Sequence, residues 1–63
     1  MIGEAVNNIP DDYHMVAGDW YVNFKNKKTK ENTLIKVIIN QKMLFKDFML
    51  RFDDEIVSIL RVR

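Results

Sequence analysis

Cysteine is absent from this 63-residue chain, and its absence removes disulfide bridges, thiolate nucleophiles and cysteine-based zinc sites. A domain of this size buries only about 60% of the surface that its unfolded form exposes. Such folds usually lean on a disulfide, a metal or an association, so tight packing or a partner has to serve here. Histidine occurs once, as His14, with no carboxylate cluster to join it, so neither a metal nor a cofactor is expected. Glycine (two) and proline (one) are scarce, which argues against a low-complexity chain. Charge of one sign is lacking too: the net charge of +1 is too small to imply a nucleic-acid or membrane partner by itself. No apolar run reaches the roughly 18 residues of a membrane span. Met1 to Ala5 has neither the basic region nor the apolar stretch of a secretory signal, so a cytoplasmic location is expected. Gly-rich phosphate loops, nucleophile elbows and metal motifs do not occur, and no catalytic residue stands out. A non-enzyme is expected.

What is present is 48% hydrophobic and 30% charged residues, the balance of one ordered globular domain over 1–63. Residues 1–18 read as an irregular N-terminal arm. Asn7-Asn8 and Ile9-Pro10-Asp11-Asp12 are turn chemistry, and Asp11 or Asp12 caps an expected helical turn through Tyr13, His14, Met15 and Val16 that Gly18 ends. Ile9, Tyr13 and Val16 are apolar enough to lie across the rest as a lid. Residues 19–63 form the core. Asp19 to Lys25 alternates, with Trp20, Val22 and Phe24 on one face and Tyr21, Asn23 and Lys25 on the other, the pattern of a half-buried strand.

Asn26 to Asn32 is polar and lies between strand-like segments, so it reads as a hairpin loop, and Thr33 to about Asn40 is the second strand. After Gln41 and Lys42, the apolar residues Leu44, Phe45, Phe48, Met49 and Phe52 fall on one stripe of a helix of two to three turns. Asp53 and Asp54 end it. Glu55 leads into a third strand with Ile56, Ser58, Leu60 and Val62 on one face and Val57, Ile59, Arg61 and Arg63 on the other. The expected fold is α+β, a small three-stranded sheet with one short helix in the order strand, strand, helix, strand. The direction of the third strand is open. One helix covers one sheet face, yet Tyr21, Leu34, Ile38, Val57 and Ile59 fall on the other, so a partner, a second copy or the arm is expected there.

Three sets of residues are candidates for function. Phe48, Met49 and Phe52 suit a partner-binding knob or pocket, although the same spacing serves ordinary core packing. Lys25, Lys27, Lys28 and Lys30 crowd one hairpin beside Tyr21 and suit a nucleic-acid backbone. Without a strong net charge they serve better as a solvated loop that guards the sheet edge. Arg61 and Arg63 enlarge that patch only if the third strand lies beside the first. Asp53-Asp54-Glu55 offers an acidic patch to a basic partner, but three consecutive turn residues point different ways and make a poor catalytic pair.

From Asp19 onward the chain resembles the very small phage-encoded uracil-DNA glycosylase inhibitors. The likeness rests on the element order, on Asp47-Phe48 with Phe52 four residues later, and on Asp54-Glu55-Ile56 followed by the aliphatic and basic alternation at Leu60-Arg61. It implies a homodimer whose helices frame an apolar pocket for a protruding enzyme loop, with Phe48 and Phe52 lining the pocket and acidic groups standing in for DNA phosphate. It also implies a host protein as partner and the host cytoplasm as location. Met49 stands where that family carries an acidic residue, this chain is slightly basic where the inhibitors are acidic, and residues 1–18 have no counterpart. The expected function is therefore a small protein-binding module, in its sharpest form an inhibitor of a host uracil-DNA glycosylase. The alternatives are a nucleic-acid-binding accessory protein using the Lys25 to Lys30 hairpin, or a structural assembly subunit.

Overall fold

The strand that alternates most cleanly in sequence, β3 (Gly18–Lys25), is an inner strand of the main sheet. A computed structural model describes residues 5–62, with side chains from Asn8 onward. The other elements are β1 (Ala5–Asn7), β2 (His14–Met15), β4 (Asn32–Ile39), β5 (Met43–Leu44), α1 (Phe45–Met49) and β6 (Glu55–Arg61). The fold is α+β, and β3, β4, α1 and β6 reproduce the expected strand, strand, helix, strand order.

The main sheet runs β1-β6-β3-β4 and every neighbouring pair is antiparallel, which settles the direction of β6. The β3 to β4 hairpin closes through a short polar loop. There the Asn26 side-chain oxygen accepts from the Lys28 and Thr29 amides at 2.8 and 3.0 Å, and Lys30 takes a left-handed conformation (φ 66). Asn side chains stabilise turns in this way, by standing in for a backbone acceptor.

Along β6 the pairing with β3 slips by one residue: Asn23 faces Ser58, but Phe24 faces Ile56. Val57 is the extra residue of this β-bulge. Strict alternation separates Ile56 from Ile59, whereas the bulge turns both toward the core, opposite Phe24 and Val22. The expected outward placement of Ile59 is therefore corrected, and Ile59 is fully buried.

The arm is also more regular than its composition suggests. β1 extends the sheet along β6, and β2 pairs with β5 in a separate two-stranded ladder. The expected helical turn at Tyr13 to Val16 does not form. Pro10 and Tyr13 instead close a turn, with the Tyr13 amide donating to the Pro10 carbonyl at 3.0 Å, and the next residues gain inter-strand bonds that one isolated turn of helix would lack. Met15 points inward and is fully buried while Val16 is exposed, so Met15 takes the place expected of Val16 beside Ile9 and Tyr13.

The helix is shorter than its apolar stripe. Met43 and Leu44 belong to β5, and beyond Met49 the chain tightens: the Arg51 and Phe52 amides bond to the Phe48 and Met49 carbonyls, three residues back. No side chain caps the N-terminus. Its free amides are met by the arm, since Phe45 and Lys46 donate to the Tyr13 and Asp11 carbonyls at 2.7 and 3.2 Å. Arm and helix thus pack on the same face of the sheet, around a core of Met15, Trp20, Val22, Phe24, Ile39, Phe45, Phe48 and Ile59. The Trp20 indole N–H donates to the Val16 carbonyl at 2.9 Å, so the one polar atom of that ring has a partner. Among the described residues, no buried side-chain polar atom lacks one.

Candidate functional site

Antiparallel pairing brings the hairpin end of β3 beside the start of β6, with Lys25 directly opposite Glu55. The loop from α1 into β6 therefore returns at the hairpin rather than at the far end of the sheet. Between them lies a groove of about 600 Å³. Its lining mixes the apolar Ile9, Phe45, Met49, Phe52, Ile56 and Val57 with the polar or charged Asn8, Asp11, Lys25, Lys27, Asn32, Asp53, Asp54 and Glu55. Four of the five expected partner-binding residues, Met49, Phe52, Asp54 and Glu55, meet here.

Phe48 does not line the groove. Its ring is 0% exposed and lies in the core, because on so short a helix Phe45 and Phe48 together make up the buried face. It acts from below: the Phe52 ring is half-buried and tilted against both Phe48 and Phe24, with centroids 5.1 and 4.8 Å away. Such aromatic contacts are worth about 0.5–1.5 kcal/mol each beyond their buried area, so they hold the groove wall in a fixed position.

The lysines are divided. Lys25 and Lys27 reach the groove, while Lys28 and Lys30 stand on the loop tip, exposed. The same geometry that places β6 beside β3 sets Arg61 opposite Trp20, at the other end of the sheet, so it does not enlarge the lysine patch. Its guanidinium instead donates to the Ala17 carbonyl through Nε at 3.3 Å and Nη2 at 3.1 Å. Arg63 lies outside the described residues. The charges at the groove end are thus mixed: Asp11, Asp53, Asp54 and Glu55 line the same opening as Lys25 and Lys27. Among the described residues, no cluster of three His, Asp or Glu side chains forms that could hold a metal. His14 is exposed on β2.

The arm's share in this groove was not visible in the sequence. Ile9 and Asp11 line it because the Pro10 turn is carried onto α1 by the carbonyl contacts to Phe45 and Lys46. The turn residues Asn8 to Asp12 were the available signal, but they indicate a turn and not its position.

The sheet face away from the helix is uncovered by any described residue. Leu34 and Ile38 are 66% and 65% exposed, with Tyr21 and the Lys36–Asp19 ion pair (3.9 Å) between them. The arm from Asn8 onward packs on the opposite face. Among the described residues, no helix is long and apolar enough to cross a membrane. No family model, curated protein or solved structure matches this chain at a significant level.

Proposed function

We propose that the chain is a small protein-binding module that receives an apolar side chain or loop of another protein in the groove between α1 and the start of β6. The observation that carries this reading is the meeting of Met49, Phe52, Asp54 and Glu55 around one opening that Ile9, Phe45 and Ile56 also line. Ligand sites combine apolar surface with polar groups that fix orientation, and this opening offers both. Aromatic residues and Met are also favoured at interface centres. The carboxylates of the lining suit a partner that carries Lys or Arg beside its apolar group.

In its sharpest form the partner is a host uracil-DNA glycosylase, as the likeness to the phage inhibitors implies, and the chain acts by occupying the enzyme. Uracil excision measured with this protein in molar excess tests that form; excision that continues undiminished overturns it. The broader reading is tested by the pair Asp54→Lys and Glu55→Lys, both at exposed positions. Loss of partner capture with the fold intact supports the groove, and unchanged capture removes it. The nucleic-acid alternative draws on Lys25, Lys27, Lys28 and Lys30, but the carboxylates lining the same opening as Lys25 and Lys27 oppose a phosphate backbone. Binding of nucleic acid that falls steeply with salt is the result that would favour it.

A further inference from the structure

Among the described residues no strand pairs with the outer edge of β4, and the phase of that edge can be read from two hydrogen bonds. Antiparallel ladders alternate between residues that bond to the neighbouring strand and residues whose N–H and C=O point away from it. At the loop, the Asn26 amide donates to the Glu31 carbonyl at 2.9 Å; at the far end, the Asp19 carbonyl accepts from Val62 at 2.8 Å and so faces β6. Following the register from either mark gives one answer. Thr33, Ile35 and Val37 bond to β3, and the amides and carbonyls of Asn32, Leu34, Lys36 and Ile38 point outward. Of the usual blocks the strand carries one, Lys36; it lacks proline and its register with β3 has no bulge.

We propose that β4 pairs antiparallel with β4 of a second copy of this chain, about a two-fold axis at Ile35. Outward residues then meet outward residues, Leu34 against Lys36 and Asn32 against Ile38, so every free amide on the edge gains a partner. On the core side Ile35, 44% exposed where the intramolecular core stops, meets its own counterpart, and Thr33 meets Val37. Charge selects this axis over the neighbouring one. Centring the pair on Lys36 sets two ammonium groups directly opposite, whereas centring it on Ile35 lays each lysine stem along Leu34. Glu31 and Lys42, at opposite ends of β4 in one chain, come to the same end of the pair. An edge that complements itself in hydrogen bonds and in the placement of its charges fits an isologous contact, which is why the occupant is a second copy and not a foreign strand.

The groove reading does not depend on this pairing, and either can fail alone. Sedimentation of the full chain should show a species of twice 7.5 kDa as concentration rises through the micromolar range. Amide exchange at Asn32, Leu34, Lys36 and Ile38 should slow about tenfold or more over the same range while Thr33, Ile35 and Val37 do not change. Ile35→Lys, which places two ammonium groups at the axis, should leave only monomer, and Leu50→Lys, at an exposed site off the edge, should leave the dimer. A single 7.5 kDa species at every concentration overturns the proposal. So does a dimer whose four outward amides stay unprotected, which would place the contact on the uncovered sheet face. If Ile35→Lys does not fold, exchange in the unaltered chain decides.

Discussion

Replacing Phe48 by Ala should remove most of this protein's stability, because the ring is fully enclosed and sits under the groove wall. Truncating a buried Phe to Ala costs about 3–5 kcal/mol in lost burial and unfilled cavity. A chain of 63 residues has a total stability of roughly 3–9 kcal/mol at the usual 0.05–0.15 kcal/mol per residue. Loss of the Phe48 to Phe52 contact comes with the substitution, since the rings are 5.1 Å apart. With each kcal/mol lowering Tm by about 4–8 °C in a domain this small, the variant should melt about 12–40 °C below the parent. Thermal and urea unfolding followed by far-UV circular dichroism measures this directly. The matched control is Leu50→Ala, at the residue that caps the C-terminus of α1 and is 81% exposed, which should stay within about 0.5 kcal/mol of the parent. A cost below about 1 kcal/mol at Phe48, or equal costs at the two sites, would refute the assignment of Phe48 to the core and return it to the pocket surface.

Deletion of Val57 removes the extra residue and lets plain alternation keep Ile56 opposite Phe24 and Ile59 opposite Val22, so unfolding should stay cooperative; loss of the cooperative transition would contradict the register. Lys30→Gly relieves a left-handed backbone at a non-glycine residue and should raise stability by about 0.5–1 kcal/mol in urea denaturation, whereas a loss would mean that Lys30 contributes through its side chain. Trp20→Phe keeps the buried ring but loses the hydrogen bond to the Val16 carbonyl, so about 1 kcal/mol should disappear beyond the packing change, and the parent's tryptophan emission should shift to the red only on unfolding.

The proposed likeness to the glycosylase inhibitors would put two aromatic rings at a pocket, and in this chain the two rings divide the work. Phe52 reaches the groove and Phe48 supports it, so a double substitution at both would confound binding with folding. Asp54 and Glu55 are the better probes because both are exposed. Met49, where the inhibitors carry an acid, lines the groove, and the negative charge available to a partner lies instead in the turn that follows.

Local pattern alone determined the α+β class, the β3 and β4 hairpin and the inward set Trp20, Val22 and Phe24, because strand alternation is a property of neighbouring residues. It also determined that Phe45 and Phe48 share a buried helical face. Only the tertiary structure decided the rest. The bulge at Val57 adds one residue against an unbroken partner, and nothing in the alternation of β6 shows which residue is the extra one. The helix begins only at Phe45 because β2 pairs with Met43 and Leu44, and arm carbonyls take its first amides, contacts made by residues some thirty positions away in sequence. The groove exists for the same reason: its walls come from the arm, the hairpin and the acidic turn, and only antiparallel pairing of β6 with β3 brings the three to one end of the sheet.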